Sequence, residues 1–228
     1  MYFGHLDEVA FLLAAAAVTL AYVSPMILTS IPRDRLDEAL DRFAANLDEP
    51  EAIAAFARVR ATAPDRAEGR TAERHRQAAL AFARDAGMPV YPDGTACAFN
   101  WDGAALNGGT EAYVILHEVA HFVLATPERR RAVDFGLGAG PDTTDRSAAE
   151  AATVVDIMAR EADEAEASLL GILWEAALGQ PALASFLDQN WLEGLERSAA
   201  AHFTAVFARL RARGLAVKIA NSSLARAP

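Results

Sequence analysis

Between Pro32 and Leu47 the apolar positions fall at Leu36, Ala39, Leu40, Phe43 and Leu47, the three- and four-residue steps of an amphipathic helix. A second helix is expected over Pro50 to Ala61. The stretch 62–69 carries Pro64, Asp65 and Gly69 and reads as a surface linker. Helical spacing resumes from Thr71 to Ala86 and stops at Gly87. These breaks predict a helical N-terminal extension over 1–69 and a second domain over 70–228. Met88 to Tyr91 and Ala96 to Phe99 are short β-capable pieces on either side of Pro92-Asp93-Gly94, so a small hairpin is expected there.

After the loop signal Asn107-Gly108-Gly109, Thr110 is placed to cap a helix running from Glu111 to about Ala125. Val114, Ile115, Leu116, Val119, Phe122, Val123 and Leu124 make that helix apolar nearly all round, which predicts a buried one. Thr126-Pro127 and three consecutive arginines break it, and the glycines of 134–142 make a loop. Ser147 with Glu150 three residues on is a capping-box pattern, so another helix should start there and reach Gly179, with or without a break. One or two more helices are expected over Leu183 to Arg213. The fold class is therefore mainly α, with a small sheet.

The N-terminal region carries one further signal. From Val9 to Leu28 there is no charge, nearly the length that spans a bilayer, although alanines dilute it and Ser24-Pro25 interrupt it. Of a buried or partner-covered helix and a membrane anchor, the first is preferred. Asp7 and Glu8 ahead of the run argue against a secretory signal, and Arg33 and Arg35 after it would leave the rest of a spanning chain in the cytoplasm. The location expected is cytoplasmic, or membrane-anchored with the catalytic domain facing the cytoplasm. A net charge of −10 over 228 residues argues against direct nucleic-acid binding, which needs clustered cations. The single cysteine, Cys97, is read as a small buried hydrophobe rather than a nucleophile.

His117 and His121 lie one turn apart on one face of the apolar helix, with Glu118 beside them. Burying two imidazoles and a carboxylate without partners costs several kcal/mol, and one divalent cation satisfies all three. A third ligand is expected from the acidic cluster Glu161, Asp163, Glu164 and Glu166. Glu164 is the first choice because Ser168 and Gly171 share its face and would let two helices approach closely. Glu161, one turn earlier, is the other candidate or a supporting residue. Asp134 and Asp142 are outside candidates for the third position or for holding substrate, and His202 is read as structural. Two His and one Glu suit zinc in a gluzincin-type peptidase with Glu118 as general base, and suit ferrous iron in an oxygenase. On spacing alone the peptidase is favoured.

From the helix beginning near Glu111 onward, the sequence resembles the bacterial elongation factor P hydroxylases. The residues that carry the resemblance are His117 to His121, Arg129 to Arg131, Asp134-Phe135-Gly136, Pro141-Asp142, Glu164 leading into Leu170 to Trp174, Gly179-Gln180-Pro181, and Asn190-Trp191-Leu192-Glu193-Gly194. It extends from about Phe99 to Gly214, roughly half the chain. The resemblance implies a zincin-like fold, a non-haem iron site on His117, His121 and Glu164, and hydroxylation of a modified lysine on a translation factor. Leu137-Gly138-Ala139-Gly140 replaces that family's aromatic stretch, and the apolar N-terminal run has no counterpart in it. The expectation is thus an iron-dependent hydroxylase whose substrate is a protein, a translation elongation factor among the candidates, or a small molecule. The rivals are a zinc-dependent peptidase and a non-catalytic interaction protein with a structural metal.

Overall fold

The computed structural model describes residues 31–193 and 198–215. The apolar run 9–28 and Gly194 lie outside them. Among the described residues, no helix is long and apolar enough to cross a membrane. The chain divides into two compact units, 1–36 and 37–228, and the architecture below is that of the second. It opens with α1 (Leu36–Ala45), followed by α2 (Pro50–Arg60) and α3 (Gly69–Asp85). Then come α4 (Ala112–Leu124), two 3-10 turns at Arg129–Arg131 and Val133–Gly136, and α5 (Arg146–Ala151). The helices α6 (Ile157–Ala177), α7 (Ala182–Asp188) and α8 (Ala199–Ala212) complete it.

The helices before the linker 62–69 pack against those after it. The stripe predicted for α1 buries Leu40, Phe43 and Leu47, and α2 buries Ala52, Ala55, Phe56 and Val59. Phe43 and Phe56 then meet Phe186 of α7, each with ring centroids 5.4 Å from it, and Phe43 lies 5.6 Å from Phe203 of α8. Helices on both sides of the linker thus share one core. Its centre is α4, buried nearly all round as its composition predicts, with α3 on one side and α6 on the other. Leu169, Leu170, Ile172 and Leu173 of α6 are at most 1 % exposed, each contributing about 1.5–3 kcal/mol of transfer free energy.

The expected hairpin is not formed. Val90 and Trp101 each make an isolated bridge to Leu106, one parallel and one antiparallel, and no longer strand occurs among the described residues. Leu106 N–H donates to the Pro89 carbonyl at 2.8 Å, and its own carbonyl accepts from Tyr91 N–H at 2.9 Å. Pro89 and Pro92 have no N–H to give a ladder, and the Ala98 carbonyl is taken by Thr144 N–H at 2.9 Å. Two predicted caps also shift. Glu111, not Thr110, is the first flanking residue of α4, and the Thr110 hydroxyl donates to the Glu111 carboxylate instead. Asp145, not Ser147, caps α5 by accepting from Ala148 N–H at 3.0 Å. The break after α5 is real, and Asp156 caps α6.

The linker is tied down by Arg66. Its guanidinium sits 3.6 Å above the Tyr113 ring of α4, donates to Ser185 Oγ at 2.7 Å, and pairs with Asp188 at 2.9 Å. Ser185 in turn donates to Glu175 Oε1 at 2.6 Å, and Glu175 is 2 % exposed. Burial pushes the Glu175 carboxyl up to about 7, against the lowering effects of the Ser185 hydrogen bond and the Arg66 charge. A carboxyl whose folded pKa exceeds its unfolded one favours the folded state in its protonated form. Stability is therefore lost as pH rises from the unfolded value through about 7. With metal chelated, raising the pH from about 5.5 to about 8 should cost the native chain about 2 kcal/mol more in denaturant unfolding than it costs Glu175→Gln. Equal losses in the two would mean that Glu175 ionises freely.

Candidate metal centre

Three side chains from two helices converge. His117 and His121, one turn apart on α4, present their imidazoles edge to face with centroids 4.6 Å apart and Nε2 atoms 3.0 Å apart. Glu164 of α6 places Oε2 at 3.5 Å from His117 Nε2 and 3.4 Å from His121 Nε2. Gly171, two turns farther along α6, makes the close approach possible. A Cβ there would stand 3.3 Å from both the Cα and the N of His117. Among the described residues these three form the one His/Cys/Asp/Glu group able to offer ligand atoms to a single ion.

His121 is held from its far side. Asp163, next to Glu164 in the chain, has Oδ1 at 2.8 Å from His121 Nδ1. A carboxylate can only accept, so Nδ1 carries a proton and, in the neutral ring, Nε2 is left as a lone pair facing the cluster. Arg129 Nη1 donates to the other Asp163 oxygen at 2.7 Å, and Arg129 Nε donates to the Phe135 carbonyl at 3.0 Å. The Phe135 ring stacks on the His121 imidazole at 5.6 Å and on Trp101 at 5.4 Å.

Electrostatics mark the cluster as a seat for positive charge. Burial disfavours a charged His121, yet hydrogen bonds to Asp163 and Glu164 outweigh it and push the imidazole up to about 10. Burial likewise raises Glu164, but hydrogen bonds from His117 and His121 hold its carboxyl well below the usual range. Asp163 is also lowered, its burial outweighed by hydrogen bonds from His121 and Arg129. Asp163 and Glu164 together therefore favour a positive charge at His121, which a proton or a divalent ion can supply.

The donor set fits such an ion. Ligand atoms about 2.1 Å from a metal stand roughly 3.0–3.4 Å from one another in octahedral or tetrahedral geometry, and the three edges here are 3.0, 3.5 and 3.4 Å. The site is graded in exposure, with the His121 side chain at 4 %, His117 at 24 % and Glu164 at 43 %.

Glu118 does not join the ligands. Its side chain is buried, makes no hydrogen bond among the described residues, and is raised above the usual carboxylate range by burial; the nearby His121 and His117 lower it, and Asp134 and Glu164 raise it. Asp134 lies at the edge of the site, its carboxyl raised by burial and accepting from Thr143 Oγ1 at 2.7 Å. Asp142 is exposed and outside the cluster. So is Glu161, which leaves Glu164 as the carboxylate at the histidines. His202 stacks on Trp191 at 5.3 Å, away from the site. Cys97 is half-buried in a loop rather than in the core, and burial raises its thiol, the opposite of activation.

Asp163, Arg129 and Phe135 are the residues whose roles the sequence did not disclose. The first is adjacent to the chosen ligand and the others stand in the arginine run and the Asp-Phe-Gly. Only the folded chain brings them to one imidazole. No family model, curated protein or solved structure matches the chain.

Proposed function

We propose that this chain is a mononuclear non-haem iron hydroxylase of zincin-like fold, related to the elongation factor P hydroxylases. The observation that carries the proposal is the convergence of one ligand atom each from His117, His121 and Glu164. Two imidazoles and one carboxylate arranged in this way leave positions for oxygen and substrate. The sequence resemblance in 117–121, 134–136, 141–142 and 164 supports iron over other metals. Bound iron would supply activation of molecular oxygen. The chain's own residues would hold the ion and keep the His121 tautomer through Asp163, with the Glu118 and Asp134 carboxyls close by. The substrate would be a protein, such as a translation elongation factor, or a small molecule, met in the cytoplasm.

A second reading, a zinc-dependent peptidase, draws on Glu118. An unliganded, buried carboxylate beside the metal ligands, with its pKa raised, is suited to take a proton from water. Zinc would supply the Lewis acidity that makes such water acidic near neutrality.

Metal analysis of protein purified without oxygen, followed by oxygen uptake after ferrous reconstitution, tests both. One iron per chain with iron-dependent oxygen uptake is expected. Glu118→Gln should keep its metal in either case. Under the hydroxylase reading oxygen uptake survives the substitution; under the peptidase reading hydrolysis falls by about 10²–10⁴-fold. Tightly bound zinc without iron-dependent oxygen uptake would replace the first reading by the second. Metal whose removal unfolds the chain and which supports no turnover would make the site structural, and no metal at all would overturn every one of these readings.

A further inference from the structure

We infer that Arg129 is a positioning residue for the metal site, fixing the His121 imidazole in two independent directions with one guanidinium; the inference rests on the metal-site reading above. The first direction lies in the plane of the ring. Nη1 of Arg129 bonds Asp163 Oδ2 at 2.7 Å, and Asp163 Oδ1 meets His121 Nδ1 at 2.8 Å, which sets the tautomer and aims Nε2 at the ion. The second is perpendicular to it. Nε of Arg129 holds the Phe135 carbonyl at 3.0 Å, and the Phe135 ring lies against the imidazole at 5.6 Å with 26° between planes.

That second contact comes from an unfavourable backbone. Asp134 and Phe135 are consecutive non-glycine residues in the left-handed region, with φ of 43° and 55°. Such residues persist only where their surroundings hold them. Here the holders are Arg129 on the Phe135 carbonyl, the Trp101 carbonyl accepting from Asp134 N–H at 2.9 Å, and Thr143 on the Asp134 carboxylate. The two edges in use point to different elements, α6 and the turn at Val133–Gly136, a geometry that a lysine's single ammonium cannot copy.

The test is cobalt binding by the full chain, read by competition with a chromophoric chelator and by the visible ligand-field spectrum, with circular dichroism to confirm folding. Arg129→Lys keeps the charge and loses the fork. A folded Arg129→Lys should bind cobalt about 10–100-fold more weakly and with an altered spectrum. Phe135→Leu, which removes the ring stacked on His121 and on Trp101 and leaves the Arg129–Asp163 bond, should change the spectrum in the same sense with a smaller loss of affinity. Affinity and spectrum unchanged in folded Arg129→Lys would overturn the inference while leaving the metal site standing. Should Arg129→Lys fail to fold, an unaltered Phe135→Leu overturns it and an altered one supports it. A native chain that binds no cobalt removes the metal reading and this inference together.

Discussion

Gly171→Val should destabilise the chain by about 3 kcal/mol and weaken metal binding in whatever remains folded. The neighbours of position 171 are backbone. A Cβ there meets the Cα and N of His117 at 3.3 Å and the carbonyl carbon of Leu116 at 3.5 Å, none of which can rotate aside as a side chain would. Valine adds two γ-carbons to that contact, so α6 must retreat from α4 and carry Glu164 away from the imidazoles. Alanine is the milder probe. Its single carbon needs a few tenths of an ångström of give, offset by about 1 kcal/mol of helix propensity gained over glycine, so Gly171→Ala should be near neutral. Denaturant unfolding with and without metal measures both. A valine variant as stable as the native chain would mean that the helices do not pack this closely.

Removing the third ligand should have the largest effect on metal affinity. Glu164→Ala is expected to lower it on the order of a thousand-fold, beyond the roughly 10–100-fold of a supporting residue, while Glu161→Ala changes it less than about twofold. The contrast follows from position, since Glu164 Oε2 lies 3.4 and 3.5 Å from the two Nε2 atoms whereas Glu161 is exposed and outside the cluster. Isothermal titration of both variants checks it. Equal losses would move the carboxylate ligand one turn along α6.

What could be read in the sequence was what depends on period and neighbours. An imidazole pair at i and i+4 inside an apolar helix needs no knowledge of the fold, and Glu164 was legible because Ser168 and Gly171 mark the face on which a second helix can come close. The stripes of α1 and α2 were legible for the same reason. Contacts between elements distant in sequence were not. Nothing near Leu106 announces that its backbone will serve both Val90 and Trp101, and the turn signal Pro92-Asp93-Gly94 does not show that Pro89 and Pro92 withhold N–H groups from a ladder. Arg66 looked like a linker residue, yet it reaches Tyr113, Ser185 and Asp188. The Asp163 carboxylate differs from its acidic neighbours only because Arg129 and His121 fold against it.

If His117, His121 and Glu164 hold an ion, their unequal burial would also order its release in time. His121 is covered by Asp163 and Phe135, and His117 is partly open, while Glu164 has 43 % of its side chain exposed. A carboxylate that swings out first would leave the ion on two imidazoles, where an incoming chelator can complete the exchange without unfolding α4. Metal loss would then follow the chelator's concentration rather than the slow global opening of the core, and the carboxylate would act as the latch of the site.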